Sequence, residues 1–160
     1  MTTTQLTYAT AMDNIRNAVI EFETTGGVNY ELKTSVNNSL HDLQLRDFLM
    51  GITVENHSTE LIEQFIECLI ESVEEYQGAP LYAVLGAYRY RLGNTQGASE
   101  CLDTATQHDP NYSLTILLKR VIGSGWPFGA FEAMTVELHP KVVAGIEANA
   151  DNLVGEFVHA

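Results

Sequence analysis

Apolar residues recur along this chain in steps of three and four, and turn-forming residues interrupt that rhythm at helix-length intervals. In the first segment they fall at Leu6, Ala9, Met12, Ile15, Val19 and Phe22, a single helical stripe closed by Thr24-Thr25-Gly26-Gly27. Residues 28–36 are β-branched and partly alternating, which predicts a short strand pair or an extended connector. Asn38-Ser39 then offers a cap for a helix over about residues 40–51. The strongest pattern follows His57-Ser58. It is a helix over 59–77 whose inward side takes Leu61, Ile62, Phe65, Ile66, Leu69, Ile70 and Val73, with Gly78 as its stop.

The second half is punctuated as clearly. Pro80 opens a helix at its first turn, where a missing N–H costs nothing, and Gly93 ends it. Further helices are expected over 95–107, before Asp109-Pro110, and over 113–122, before Gly123-Ser124-Gly125. Trp126-Pro127-Phe128-Gly129 reads as a turn, followed by a short helix from Ala130 and a last one opened by Pro140. Connections of two to six residues force antiparallel neighbours. The expected fold is mostly α: one single-domain helical bundle of six to eight helices over residues 1–150, with 1–38 forming the N-terminal helix and its connector. Residues 151–160 are expected to fray.

Residues 79–112 form a helical hairpin whose spacing resembles a tetratricopeptide repeat. Gly86 and Ala98 are small enough to let two helices approach, Leu85 and Leu102 fill the gap, and Gly93 supplies a left-handed turn. Arg89 stands where that repeat has an aromatic residue, between Tyr88 and Tyr90. No second copy follows, because Lys119 and Arg120 fall where Leu-Gly should be. A lone repeat builds no solenoid. The segment is read as one tetratricopeptide-like hairpin inside a bundle.

A second resemblance covers about residues 40–130. It rests on Arg46-Asp47, on Ala79-Pro80-Leu81 through Arg91-Leu92-Gly93, on Ala98, on Asp109-Pro110-Asn111-Tyr112, on Leu117-Leu118 and on Gly125-Trp126-Pro127. These resemble the C-terminal helical half of the actinobacterial family called domain of unknown function 4192. The resemblance implies an actinobacterial or phage origin. Longer members carry a preceding α/β portion. The family brings no established activity, cofactor or catalytic residue with it.

Charge changes the picture more than composition does. The 160 residues carry 8 Lys+Arg against 21 Asp+Glu, a net −13. Such a surface argues against nucleic acid and anionic membrane as partners. The charge is also uneven: −3 over residues 1–53, −8 over 54–110 and −2 over 111–160. Glu60, Glu63, Glu67, Glu71 and Glu74 step by three and four, which makes one helical stripe about 21 Å long at ~1.5 Å per residue. Like charges so spaced repel by about 0.2–0.5 kcal/mol per pair, and no lysine interleaves them. The stripe is either a solvated face or a docking face for a basic protein. A mimic of a phosphate backbone would be sparse, with a carboxylate every ~5–6 Å against a phosphate every ~3.4 Å.

Chemical motifs are few. His41, His57, His108, His139 and His159 are scattered, and the chain has no HExxH, CxxC, Walker or GxGxxG pattern. Cys68 and Cys101 occupy apolar helical positions and read as reduced core residues. The first residues lack the basic and apolar regions of a signal peptide, and no run reaches the ~20 apolar residues that span a bilayer. A reducing cytoplasm follows, that of the host if a phage encodes the chain. Neither cofactor nor metal is expected.

The leading expectation is a non-enzymatic acidic interaction module, a small phage protein that binds a host protein. Its surface would comprise Glu60, Glu63, Glu67, Glu71 and Glu74, the hairpin residues Tyr82 and Arg89, and Trp126 as an aromatic anchor. A second reading is homo-oligomeric assembly: a homodimer would bury apolar stripes on the 6–22 and 59–77 helices that one subunit cannot satisfy. A third is an enzyme using scattered carboxylates.

Overall fold

The computed structural model describes residues 5–72 and 78–154. Eight α-helices follow one another there: α1 (Tyr8–Thr25), α2 (Tyr30–Ser39), α3 (Leu43–Gly51), α4 (Thr59–Ile70), α5 (Gly78–Arg91), α6 (Thr95–His108), α7 (Ser113–Gly123) and α8 (Phe128–Ala148). A 3-10 turn, Ile52–Glu55, follows α3 directly. The described residues contain no strand, only an isolated bridge between Thr7 and Leu153. The chain is an all-α bundle.

Side-chain caps set the helix starts. Thr7, Asn29, Ser58 and Asn94 each accept a backbone N–H from the first turn of α1, α2, α4 and α6. Asp42 caps α3 by accepting from the N–H groups of Gln44 and Leu45, and its other oxygen takes the Tyr8 hydroxyl. Burial and that hydrogen bond push the Tyr8 phenol up to about 12. One carboxylate thus starts α3 and ties it to α1.

The core is one continuous cluster. Ile15, Val19, Phe48, Leu49, Ile62, Phe65, Ile66 and Leu69 are fully excluded from solvent, so the middle of the α1 and α4 stripes is buried within the subunit, while Leu6, Phe22 and Ile70 at their ends are partly buried. The α5–α6 hairpin packs as closely as its small residues suggest. A Cβ placed on Gly86 would lie 3.0 Å from Leu102 Cδ2 and 3.3 Å from the Ala98 carbonyl oxygen. Gly93, with φ +82°, makes the turn between the two helices.

Four expectations are corrected. Residues 28–36 form neither a strand pair nor a connector, because most of them lie in α2. Leu32, Val36 and Leu40 repeat at helical spacing and pack on the core, and the Asn37 amide donates to the Leu69 carbonyl at 3.1 Å. Tertiary burial outweighs the local β preference. Asn38 and Ser39 therefore belong to α2, and the next helix begins at Leu43 under Asp42. Gly78 does not close α4, which ends at Ile70; it is the buried first residue of α5, where a Cβ would meet His108 at 2.7 Å. Val73, expected on the inner side of that helix, lies outside the described residues.

The fourth correction concerns Pro140. It opens no new helix: α8 runs through it from Phe128. An interior proline removes one hydrogen bond and costs about 3 kcal/mol in isolation. Here Pro140 lies on the exposed side, and its neighbour His139 is buried against α3. Packing on both sides of the proline holds the helix together. The chain beyond Ala150 is also tied down as far as Val154. The Tyr8 and Ala9 N–H groups donate to the carbonyls of Asn152 and Ala150, and the Val154 N–H donates to Leu6 at 2.7 Å. The expected frayed tail otherwise falls on residues 155–160, outside those described.

Candidate functional site

Three helices enclose a groove of about 380 Å³ lined by Glu67, Ile70 and Glu71 from α4 and its end, Tyr82, Leu85 and Arg89 from α5, and Glu100, Cys101 and Thr104 from α6. Four of the eight sequence-derived site residues meet here: Glu67, Glu71, Tyr82 and Arg89. The stem of the groove is apolar, through Ile70 and Leu85, and its rim is acidic. Tyr82 presents a ring that stacks on His108 at 5.4 Å with 22° between planes.

Arg89 organises the floor. Its Nε lies 3.4 Å from Glu63 Oε2 and its Nη2 3.8 Å from Glu67 Oε2, while Nη1 donates to Cys101 Sγ at 2.9 Å. Burial pushes the Cys101 thiol up, and the neighbouring guanidinium works against that. The thiol is a neutral packing group at ordinary pH. Both cysteines are free and buried, as expected.

The acidic stripe is less uniform than its spacing implies. Glu63 turns inward, with 21% of its side chain exposed, against 50% for Glu67 and 74% for Glu71. Glu71 reaches Lys33 of α2 at 3.8 Å. The cations that α4 lacks in its own sequence are supplied by α2 and α5, which relieves the like-charge repulsion along the stripe. Glu100 has no ion-pair partner among the described residues and leaves the α6 wall negative. Glu60 is exposed in the first turn of α4, where its charge suits the helix dipole. Glu74 lies outside the described residues.

Trp126 is not part of this groove. It sits in the α7–α8 connection, where its carbonyl accepts the Tyr90 hydroxyl. Phe131 and Phe128 both meet the Tyr90 ring edge-on, at 5.6 and 5.0 Å, but Phe131 is buried whereas Phe128 and Trp126 are about 40% exposed. Among the described residues no three His, Cys, Asp or Glu side chains assemble into a metal-holding group.

The polar clusters that sequence reasoning missed are all long-range. Arg46 donates to the Tyr112 hydroxyl at 3.2 Å, joining two segments that carry the family resemblance. Glu55 accepts from Arg16 Nε at 2.8 Å and Nη2 at 3.1 Å, and lies 3.0 Å from His139 Nε2. These partners are 39 and 84 residues away in sequence, so no local pattern announces them. Burial raises the Glu55 carboxyl, but the hydrogen bonds and charges of Arg16 and His139 outweigh it and hold the group below its ordinary value. A depressed folded-state value contributes stability above the unfolded-state pKa and loses it as pH falls through the folded one. Glu55→Gln should therefore be less stable than the parent at about pH 7, with the gap closing towards about pH 3. Urea unfolding at both pH values measures this, and an equal gap at both would remove Glu55 from the acid response.

No curated protein and no solved structure matches the chain. One family does, and its match extends beyond the expected 40–130 segment to include α1 and α2, ending just before α8. Over residues 2–127 the chain matches the family described as domain of unknown function (DUF4192), and it belongs to that family.

Proposed function

We propose that the α4–α5–α6 groove docks a basic segment of another protein, which makes the chain a non-catalytic acidic interaction module. The observation that carries this is the convergence of Glu67, Glu71 and Glu100 around an apolar stem and the Tyr82 ring. A lysine or arginine side chain suits such a slot. Its methylenes would lie along Ile70 and Leu85, its charge would meet the carboxylates, and the aromatic face would add a cation–π contact. Arg89 is already engaged by Glu63 and Glu67, so it repels an incoming cation less than a free guanidinium would. The homodimer reading is less favoured, since the middle of the α1 and α4 stripes is already buried within one subunit. The proposal keeps the expectation of a small phage protein meeting a host protein in the host cytoplasm. No helix among the described residues is long and apolar enough to cross a membrane.

A Glu67→Gln/Glu71→Gln/Glu100→Gln protein tests the groove. These side chains lie at the rim, so the fold should survive with its circular dichroism unchanged. Binding of a labelled lysine-rich peptide should weaken by about tenfold or more in the variant, and in the parent should fall with added salt. Equal binding by parent and variant would sink the proposal.

A further inference from the structure

The carboxylates around the α4–α5–α6 groove are not equally free. Glu67 turns Oε2 to Arg89 Nη2 at 3.8 Å, and Glu71 turns Oε1 to Lys33 Nζ at 3.8 Å. Each offers an incoming cation one oxygen that has no ion-pair partner among the described residues, and not a two-oxygen edge. Across the groove, α6 presents Glu100 and the Thr104 hydroxyl. That hydroxyl donates its proton to the Glu100 carbonyl at 3.1 Å, so towards a ligand its oxygen can only accept. The acceptors therefore stand on two different walls. Between them the α5 lining runs from Tyr82 to Arg89, two helical turns or about 10 Å, which is the scale of one long side chain.

We infer that the groove reads a lysine side chain in preference to an arginine, an inference that rests on the docking role proposed for it. Two features work against a guanidinium. Its advantage is a planar fork that pairs with both oxygens of one carboxylate. On the α4 wall, Arg89 and Lys33 have already taken one oxygen from each of Glu67 and Glu71. The floor also holds a guanidinium, that of Arg89, fixed among Glu63, Glu67 and Cys101, and a second planar cation would lie against it. Glu100 keeps both oxygens, but a fork committed to it spends its edge on the α6 wall alone. An ammonium has three donors that point in different directions. It takes single oxygens from both walls at once, while its flexible methylene stem lies along Ile70 and Leu85.

The experiment compares labelled peptides of equal length: lysine-rich, arginine-rich, and lysine-rich with every side-chain amine acetylated. Long-range attraction is the same for the first two. Arginine is the stronger partner of a bare carboxylate, so a lysine preference cannot come from the acidic surface alone. The parent should bind the lysine peptide about tenfold more tightly than the arginine peptide, and the acetylated peptide least of all. Lys33→Gln and Arg89→Gln each free a carboxylate edge. In either variant the arginine peptide should gain and the preference should narrow, with circular dichroism showing that the fold is kept. An arginine peptide bound by the parent as tightly as the lysine peptide overturns the lysine assignment and leaves the docking role standing. A preference unchanged in both folded variants overturns it too. Failure of both cationic peptides to bind removes the docking role itself, and the lysine assignment with it.

Discussion

Phe48→Ala should lower the free energy of unfolding by about 3–5 kcal/mol, the usual cost of emptying a buried phenylalanine site. In a chain of this size that is a fall of roughly 10 °C in Tm, at about 2–4 °C per kcal/mol. The ring is fully buried, with the Arg16 guanidinium 5.1 Å from its centroid and the His139 ring at 5.2 Å. It therefore fills the α3–α8 interface and also forms one wall around the hydrogen-bonded Arg16, Glu55 and His139. Deleting it opens a cavity beside charged groups, which invites water to the cluster and weakens the hydrogen bonds on Glu55. Phe48→Leu keeps most of the volume and should cost much less, about 1 kcal/mol. Thermal and urea unfolding of both variants provide the check. A loss under about 1 kcal/mol in the alanine variant would mean that α3 and α8 close the gap by moving together.

What could be read from the sequence follows from which forces act locally. The stripes of α1 and α4 were legible because each has one apolar side, and Ser58 and Gly93 mark boundaries through caps and left-handed turns that depend on the residue alone. Helix α2 was not legible. Thr34, Ser35 and Val36 are weak helix formers, and what holds them helical is the Asn29 cap and burial against the rest of the bundle. Pro140 misled for the opposite reason: the local rule is strong, yet α8 is anchored on both sides of it. The same division governs the site. Glutamate spacing put Glu63, Glu67 and Glu71 in one stripe, of which Glu67 and Glu71 line the groove while Glu63 turns to Arg89. Nothing in that spacing said that Arg89 would draw Glu63 inward or that Lys33 would meet Glu71, because those cations arrive from other helices. Trp126 was offered as a partner anchor, and the structure leaves it 41% exposed but in the α7–α8 connection, apart from the groove.

Arg91→Ala should cost about 2–4 kcal/mol, and Arg91→Met distinctly less. Arg91 is buried with no carboxylate partner among the described residues. It donates instead to the Met50 carbonyl at 2.8 Å and to Thr53 Oγ1 at 2.9 Å, and its guanidinium lies 4.7 Å from the Tyr88 ring centroid. The C-terminus of α3 is the negative end of a helix dipole, so a cation there offsets carbonyls that lack helical partners. Hydrogen bonds from a charged donor are worth about 1.5–3 kcal/mol, but holding the charge out of water subtracts from that. Alanine loses the hydrogen bonds and the packing on Tyr88 together. Methionine keeps the packing and relieves the desolvated charge, and the Met50 carbonyl keeps the longer contact, 3.1 Å, of a Tyr88 hydroxyl that donates chiefly to the Leu49 carbonyl at 2.6 Å. Urea unfolding of both variants, and of each combined with Tyr88→Phe, separates the contributions. A coupling of about 0.5–3 kcal/mol between positions 88 and 91 is expected, since both act on the same carbonyl. Equal losses for alanine and methionine would assign the whole effect to the hydrogen bonds on Met50 and Thr53 and none to the stem packed on Tyr88.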